Sequence, residues 1–319
     1  MNSEIELDNI VEVINKAQKI AIFTHVSPDG DAIGSSLAFY LGLLQLKKEV
    51  SIVTDEFSRC FGFLPHLEDI QREVDDCYDV SIALDCATRG RLFDPKESFS
   101  RSNVTVAIDH HASNTYFAKL NYVEGNSPAT CKTLVKIFKR LGITITKEIG
   151  SCLMAGIITD SGGFRYNTVD DETFEFAASM LDLGVDISDI YYRTFDVKTK
   201  AQFQLSTLAT SRIKFYAKDR IALTYVTLED MKKTKAMAGD HEGIVNVGRN
   251  IEGVEVSVFL REVDKEFYRI SMRSNDYVDV SEVASLFGGG GHSRAAGCDI
   301  HENLDVAIKK LVKETTKVL

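Results

Sequence analysis

Apolar positions follow two different patterns along the 319-residue chain. Up to about Gly184 they come as short unbroken runs, and beyond it they alternate with polar residues. Ile5, Ile10, Val11, Val13, Ile14 and Ala17 recur at helical spacing, so residues 5–17 are predicted as an amphipathic opening helix. Residues 19–24 form a first strand, and AIGSSLAFYLGLLQL after it is a helix with small residues on one side, suited to close packing on a sheet. EVSIVT, VSIALD and TVAID are further strands. Continuous apolar strands separated by helical or loop segments indicate a parallel sheet covered on both faces. Ser127 and Pro128 have the character of a helix N-cap and first turn, opening a helix that runs to about Leu141. Helices over 148–159, ending at Asp160, and from Asp170 to Leu183 complete this part.

Residues 185–205 are predicted as a connecting helical segment without the composition of a flexible tether. RIKFYA, RIALTYV, VEVSVFLRE and FYRISMRS then show period-two character, which suits a mixed or antiparallel sheet with one face partly exposed. VDVSEVASLF is a helix running directly into GGGGHSRAAG, and residues 303–317 form a closing amphipathic helix. The expectation is an α/β protein with a parallel-sheet domain over 1–185, a helical linker over 186–205 and a smaller α/β domain over 206–319.

Charge follows the same division. The whole chain carries 37 Lys and Arg against 47 Asp and Glu, a net of −10. Residues 1–185 hold 17 and 27 of these, and residues 186–319 hold 20 of each. Nothing resembles the basic stripe that long duplex nucleic acid requires. The six cysteines form no C-x-x-C pair, which points to reduced thiols. No run is long enough for a membrane span, and the acidic start lacks the features of a signal peptide, so a cytoplasmic location is expected.

Several apolar runs end in the same chemistry. IAIFTH leads to His25, Asp29 and Asp31; VSIALDC reaches Asp85; TVAIDHH reaches Asp109, His110 and His111; LMAGIITD reaches Asp160. Taken singly, an aspartate after a strand is most often a helix cap. Their repetition at strand ends, where loops of an open parallel sheet converge, points to an assembled metal site. Asp29 and Asp31 stand two apart, so each can address a different ion. Carboxylate and imidazole without thiolate favour Mn²⁺ or a related cation, and a pair of ions about 3.5 to 4 Å apart suits phosphoester hydrolysis.

HVSPDGDAIGS, ALDC, IDHH and TDSGGF, in this order, resemble the four signature motifs of the DHH phosphoesterase superfamily, and LFGGGGHSRAAG is similar to the signature of the DHHA1 domain that often follows it. The resemblance implies two Mn²⁺ per chain, with Mg²⁺ or Co²⁺ as alternatives, and an active-site cleft between the domains. It implies His25 and Asp29 on one ion, Asp31, His110 and Asp160 on the other, and Asp85 bridging both. Asp109 would orient the neighbouring histidines, and His111 would face the scissile phosphate as hydrogen-bond donor or acid. Gly289, Gly290, Gly291 and His292 would form a substrate-binding loop, with Arg273 and Ser274 contacting a phosphate and Arg261 a weaker candidate.

The compact two-domain layout resembles the bacterial nano-RNases, which act as oligoribonucleases and as phosphatases of 3'-phosphoadenosine-5'-phosphate (pAp). It leaves no room for the DNA-binding additions of longer exonucleases of the superfamily, and it has neither the membrane segments of the cyclic-dinucleotide enzymes nor the second domain of the pyrophosphatases. The expected partners are short RNA or DNA oligonucleotides and nucleotides, with no membrane; a homodimer is compatible with the chain. Two alternatives stand beside this reading: a catalytically inactive nucleotide-binding sensor, and a hydrolase acting mainly on linear dinucleotides from cyclic-dinucleotide turnover. Tyr191 and Tyr192 are expected in interdomain packing, Lys232, Lys233 and Lys235 on a solvated helix face, and Phe164, Arg165 and Tyr166 beside the cleft.

Overall fold

The structure, a computed structural model, describes residues 3–74, 76–237 and 239–319, without the side chains of Ser3 and His292. It divides into two compact units, residues 1–197 and 198–319.

In the first unit, α1 (Ser3–Lys16) leads to β1 (Lys19–Phe23), α2 (Gly30–Gln45), β2 (Glu49–Val53), β3 (Ile70–Gln71), β4 (Val80–Leu84), β5 (Val104–Asp109) and β6 (Leu120–Val123). Then come α3 (Thr130–Leu141), α4 (Lys147–Asp160), α5 (Asp171–Asp182) and α6 (Ile187–Tyr191), which continues as a π-helical turn over Tyr192–Asp196. The strands form one parallel sheet in the order β3-β2-β1-β4-β5-β6.

Burial alternates along each strand even though the runs are apolar throughout. Ile20, Ile22, Ile82, Leu84, Val106 and Ile108 join the helices in the main core. Ala21, Phe23, Val53, Ala83 and Ala107 belong to a second core with Leu92 and Phe99. The second face is therefore covered, as continuous runs require, but by short 3-10 turns and loops between β3 and β6 rather than by helices.

Helix α2 is buried on nearly all sides, the condition for a helix apolar all round. Its small residues do not face the sheet, as the pattern suggested, but meet α4. A Cβ on Gly34 would stand 2.4 Å from the Cys152 carbonyl oxygen, and one on Gly156 would stand 2.3 Å from Cys131 Sγ and 2.6 Å from Asp31 Oδ1. The helices are thus in backbone contact, which brings the start of α2 beside the end of α4.

The second unit contains α7 (Lys200–Ser211), β7 (Lys214–Tyr216), β8 (Ile221–Val226), α8 (Leu228–Thr234), α9 (Ile244–Arg249), β9 (Val256–Asp264), β10 (Phe267–Ser274), α10 (Val280–Ser285), β11 (Gly290–His292), β12 (Ala295–His301) and α11 (Leu304–Lys317). Its sheet runs β11-β12-β10-β9-β8-β7 and is mixed, only β8 and β9 being parallel. Val256, Val258, Leu260, Ile270 and Met272 pack with α10 and α11, while Phe259 on the opposite face packs with α7 and α9. The glycine cluster differs from the expected loop: Gly290 and Gly291 lie in the edge strand β11, paired with Gly297 and Ala296. A Cβ on Gly289 would come within 2.1 Å of the Gly297 carbonyl oxygen, so glycine there permits β12 to approach.

Gly34→Ala is expected to force α2 and α4 apart and to lower stability by about 1–3 kcal/mol, the usual cost of overpacking a filled interior. The measurement is urea denaturation; an unchanged midpoint would show that the two helices do not depend on backbone contact.

Candidate metal centre

The strand order reverses its direction of progression beside β1: the chain moves outward through β2 and β3, then returns to β4 on the other side of β1. Segments leaving β1 and β4 diverge, opening a crevice at the carboxyl ends of the strands. His25 follows β1, Asp85 follows β4 and Asp109 ends β5.

His25 is buried; its backbone bridges to Leu92 and its Nδ1 lies 2.9 Å from the Val26 carbonyl oxygen. A proton on Nδ1 donated to that carbonyl leaves Nε2 with its lone pair facing Asp29 Oδ1 at 3.8 Å and Asp85 Oδ2 at 3.7 Å. His110 repeats the device: Nδ1 is 3.0 Å from the Ser127 carbonyl oxygen, and Nε2 lies 3.1 Å from Asp160 Oδ2 and 3.6 Å from Asp85 Oδ1. Asp85 has a left-handed backbone, φ 55°, a conformation that aspartate and asparagine tolerate better than most residues. Its amide donates to the Ile108 carbonyl.

Asp109 is turned away from this cluster. Its Oδ1 accepts from the His110 amide and from His111 Nδ1 at 2.7 Å, and its Oδ2 accepts from Asn114 Nδ2 at 2.7 Å. His111 is thereby held edge-on to His110 at the margin of the site.

Two helices supply the remaining carboxylates. Asp29 caps α2, its Oδ1 accepting from the Asp31 and Ala32 amides. Asp31 is fully buried, and its carboxylate accepts from the Thr130 amide at 2.6 Å and the Cys131 amide at 2.9 Å. This corrects the expected helix start: α3 begins at Thr130 after an extended Ala129, and the capping expected of Ser127 is performed from α2 by Asp31. Thr130 Oγ1 also donates to Asp85 Oδ1 at 3.0 Å. Thr130 and Asn114 are absent from the sequence-based candidates; each is an ordinary polar residue whose partner lies elsewhere in the chain. Asp160 is the last residue of α4.

Ligand atoms of His25, Asp29 and Asp85, of Asp31, His110 and Asp160, and of Asp85, His110 and His111 fall into three trios, each within 4.8 Å. The charges are out of balance. Burial and the neighbouring Asp85 and Asp160 push the Asp31 carboxyl well above its usual range. Burial and the Asp29 charge push Asp160 up to about 6, against the pull of His110. Burial disfavours the His25 and His110 imidazoliums, but the facing carboxylates outweigh it and raise both well above the ordinary value. Partial burial opposes ionisation of Asp29, yet His25 and the Ala32 amide hold it well below the carboxylate range. Asp85 Oδ2 and His110 Nε2 are buried without a hydrogen-bond partner. Unpartnered oxygen and nitrogen donors among mutually repelling carboxylates fit divalent cations.

In the second unit, Arg273 donates from Nη1 to the Met272 carbonyl at 2.9 Å. Ser274 is 2% exposed and its hydroxyl donates to the Ser293 carbonyl, so it braces a turn instead of presenting itself to a phosphate, which corrects its expected role. The side chain of His292 lies outside the described residues. Within the first unit Tyr191 packs against Phe195 and Gly163. Phe164 stacks on Phe174 and Arg165 Nε donates to the Gly162 carbonyl. Lys232, Lys233 and Lys235 are exposed at the end of α8. No helix among the described residues is long and apolar enough to cross a membrane.

Residues 19–157 match the model of the DHH family, N-terminal domain, and residues 219–317 match that of the DHHA1 domain. The chain is 32% identical to the bifunctional oligoribonuclease and PAP phosphatase NrnA of Thermus thermophilus, covering 97% of this chain and 93% of that one. It is 26% identical to the protein of the same name in Mycoplasma genitalium, over 95% and 96%. An exopolyphosphatase-related protein of Bacteroides fragilis superposes with a TM-score of 0.89 at 30% identity, covering 98% of this chain and 96% of the other. The trios gathered around Asp85 and the matches in both units place the chain in the DHH phosphoesterase family, with a DHHA1 domain, as a metal-dependent phosphohydrolase.

Proposed function

We propose that this protein hydrolyses very short oligoribonucleotides to mononucleotides and dephosphorylates pAp to AMP, using two Mn²⁺ ions. The observation that carries the reading is the pair of carboxylate and imidazole trios on either side of Asp85, His25–Asp29–Asp85 and Asp31–His110–Asp160. Likeness over nearly the full length to proteins named for oligoribonuclease and PAP phosphatase activity supports the substrate class.

In this reading His25 and Asp29 hold one ion, Asp31, His110 and Asp160 hold the other, and Asp85 serves both. The chemistry supplied by such a pair is water activated near neutral pH and neutralisation of charge on the phosphoryl oxygens. The mixed oxygen and nitrogen donors, without thiolate, support Mn²⁺ among the hard-to-borderline cations. Asp109 fixes the His111 ring through Nδ1, which leaves Nε2 to donate to the phosphate or to give a proton to the leaving oxygen. Arg273 and the glycine strand of the second unit serve substrate binding.

With Mn²⁺ the purified protein is expected to cleave a labelled diribonucleotide and pAp, and EDTA is expected to abolish both activities. Failure of the folded, Mn²⁺-loaded protein on both substrates would sink the reading. Asp85→Asn keeps a side chain that tolerates the left-handed backbone, so the fold should persist while kcat falls by about a thousandfold, the several kcal/mol that metal assistance supplies; full activity in this variant would reject the site.

Thr130→Val removes the hydroxyl from Asp85 and leaves the amide on Asp31. Apparent Mn²⁺ affinity, read from the electron paramagnetic resonance of free Mn²⁺, should weaken by about 10–100-fold and recover in Thr130→Ser. Unchanged affinity in Thr130→Val would deny Thr130 a part in positioning Asp85.

A further inference from the structure

Asp160 is the last residue of α4, so the way the helix ends decides where its carboxylate points. The Gly163 amide donates to the Ile158 carbonyl at 2.8 Å, and the Gly162 amide donates to the Thr159 carbonyl at 3.1 Å. With Gly162 left-handed at φ 60°, these bonds are the crossed pair of a Schellman cap. Gly163 and Phe164 are left-handed as well, at φ 72° and 65°, and a bulky side chain seldom adopts that conformation. Phe164 is held in it by its amide on Ser161 Oγ at 2.9 Å and by its ring on Phe174, 5.4 Å between centroids. Such a cap is ordinarily completed by an apolar side chain two residues beyond the cap residue, folded back on the last turn. That position is Gly163, which has no side chain, and the ring of Tyr191 from α6 stands in for it. A Cβ on Gly163 would lie 2.7 Å from Tyr191 Cε2, so the backbone runs directly under the ring. Phe195 supports Tyr191 from one turn further on, 5.0 Å between centroids.

We propose that Tyr191 is a positioning residue: its ring closes the cap of α4 over Gly163 and thereby holds Asp160 toward His110. This role rests on the reading of Asp160 as a metal ligand. Asp160 needs such a hold more than its neighbours do. Asp29 and Asp31 each accept backbone amides. Among the described residues the Asp160 carboxylate accepts none, and its partner is His110 Nε2 at 3.1 Å. It also stands at the pole of α4 that disfavours an anion. Both conditions favour a frayed last turn, in which residue 160 leaves helical geometry and its carboxylate leaves His110. The cap opposes fraying by satisfying the last carbonyls, and an aromatic ring over Gly163 keeps water from competing for those amides. Tyr191 is itself 37% exposed, so the ring covers the glycine on one side and meets solvent on the other, and its removal leaves the core intact.

The full chain with Tyr191→Ala and Tyr191→Phe tests this through two readouts. Hydrogen–deuterium exchange of the metal-free protein reports the cap. The Gly162 and Gly163 amides should exchange about tenfold faster in Tyr191→Ala, the scale of losing one cap contact, and at the wild-type rate in Tyr191→Phe, since ring carbons make the contact. Mn²⁺ titration followed by electron paramagnetic resonance reports the ligand. One of the two binding steps should weaken by about tenfold in Tyr191→Ala and recover in Tyr191→Phe. In an Asp160→Asn background, where that step is already impaired, Tyr191→Ala should add nothing, as expected of two residues acting through one contact. Unchanged exchange, equal weakening of both steps, or full additivity with Asp160→Asn would overturn the role of Tyr191. If the wild-type chain binds no Mn²⁺, the metal reading fails, and crystal structures of the wild type and Tyr191→Ala decide the positioning separately. An Asp160 carboxylate displaced from His110 in the variant sustains it, and one in the same place in both rejects it.

Discussion

Carboxylates that repel one another are held within reach of the same two imidazoles, and much of the first unit serves to keep them there. The means differ from residue to residue. Asp29 and Asp31 each accept amides at a helix start, of α2 and of α3, where backbone N–H groups and the helix dipole favour negative charge. Asp85 has a threonine hydroxyl on one oxygen and nothing on the other. Asp160 ends α4, at the pole of the helix that disfavours an anion, and its carboxyl is pushed up to about 6. The two carboxyls pushed above their usual range, Asp31 and Asp160, both face the His110 ring, which is where a cation relieves the most repulsion.

That arrangement depends on distances that only small residues allow. Asp31 meets the first turn of α3 while Gly156 of α4 lies against its other side, and a methyl group at either Gly34 or Gly156 would collide with neighbouring atoms. The same contacts that compact the core thus fix the positions of two candidate ligands. Helix packing and site geometry are one problem here, since the contacts that pack α2 on α4 also set the start of one beside the end of the other.

The strand ends were legible in the sequence because each apolar run stops at a polar residue that a strand of that length must deliver to the carboxyl edge. The parallel sheet was legible for the same reason, although β3, two residues long, and β6, which contains the buried Asn121, carry too little apolar signal to be read. What stayed hidden were partnerships without a local pattern. Asp31 caps α3 from about a hundred residues away, and no window of sequence shows it. Small residues on α2 signalled close packing but not whether the partner was sheet or helix. The glycine cluster is a similar case: its residues could equally form a loop or an edge strand, and the choice is made by Gly297 across the ladder. Ser274 follows a β10 that was read well, yet its burial depends on the turn at Ser293.

Charge selects substrate at two scales. A net of −10 disfavours a long polyanion, but at physiological salt a charge is screened beyond about 8 Å, so the sum over the chain matters less than what stands next to each phosphate. Where like charges do meet, as Arg261 and Arg269 do across the ladder, Asp299 beside them offsets part of the repulsion. In the first unit the clustered carboxylates require cations before a phosphate can approach. Local charge balance at the metal centre, not the net charge of the chain, therefore governs how close an anion comes.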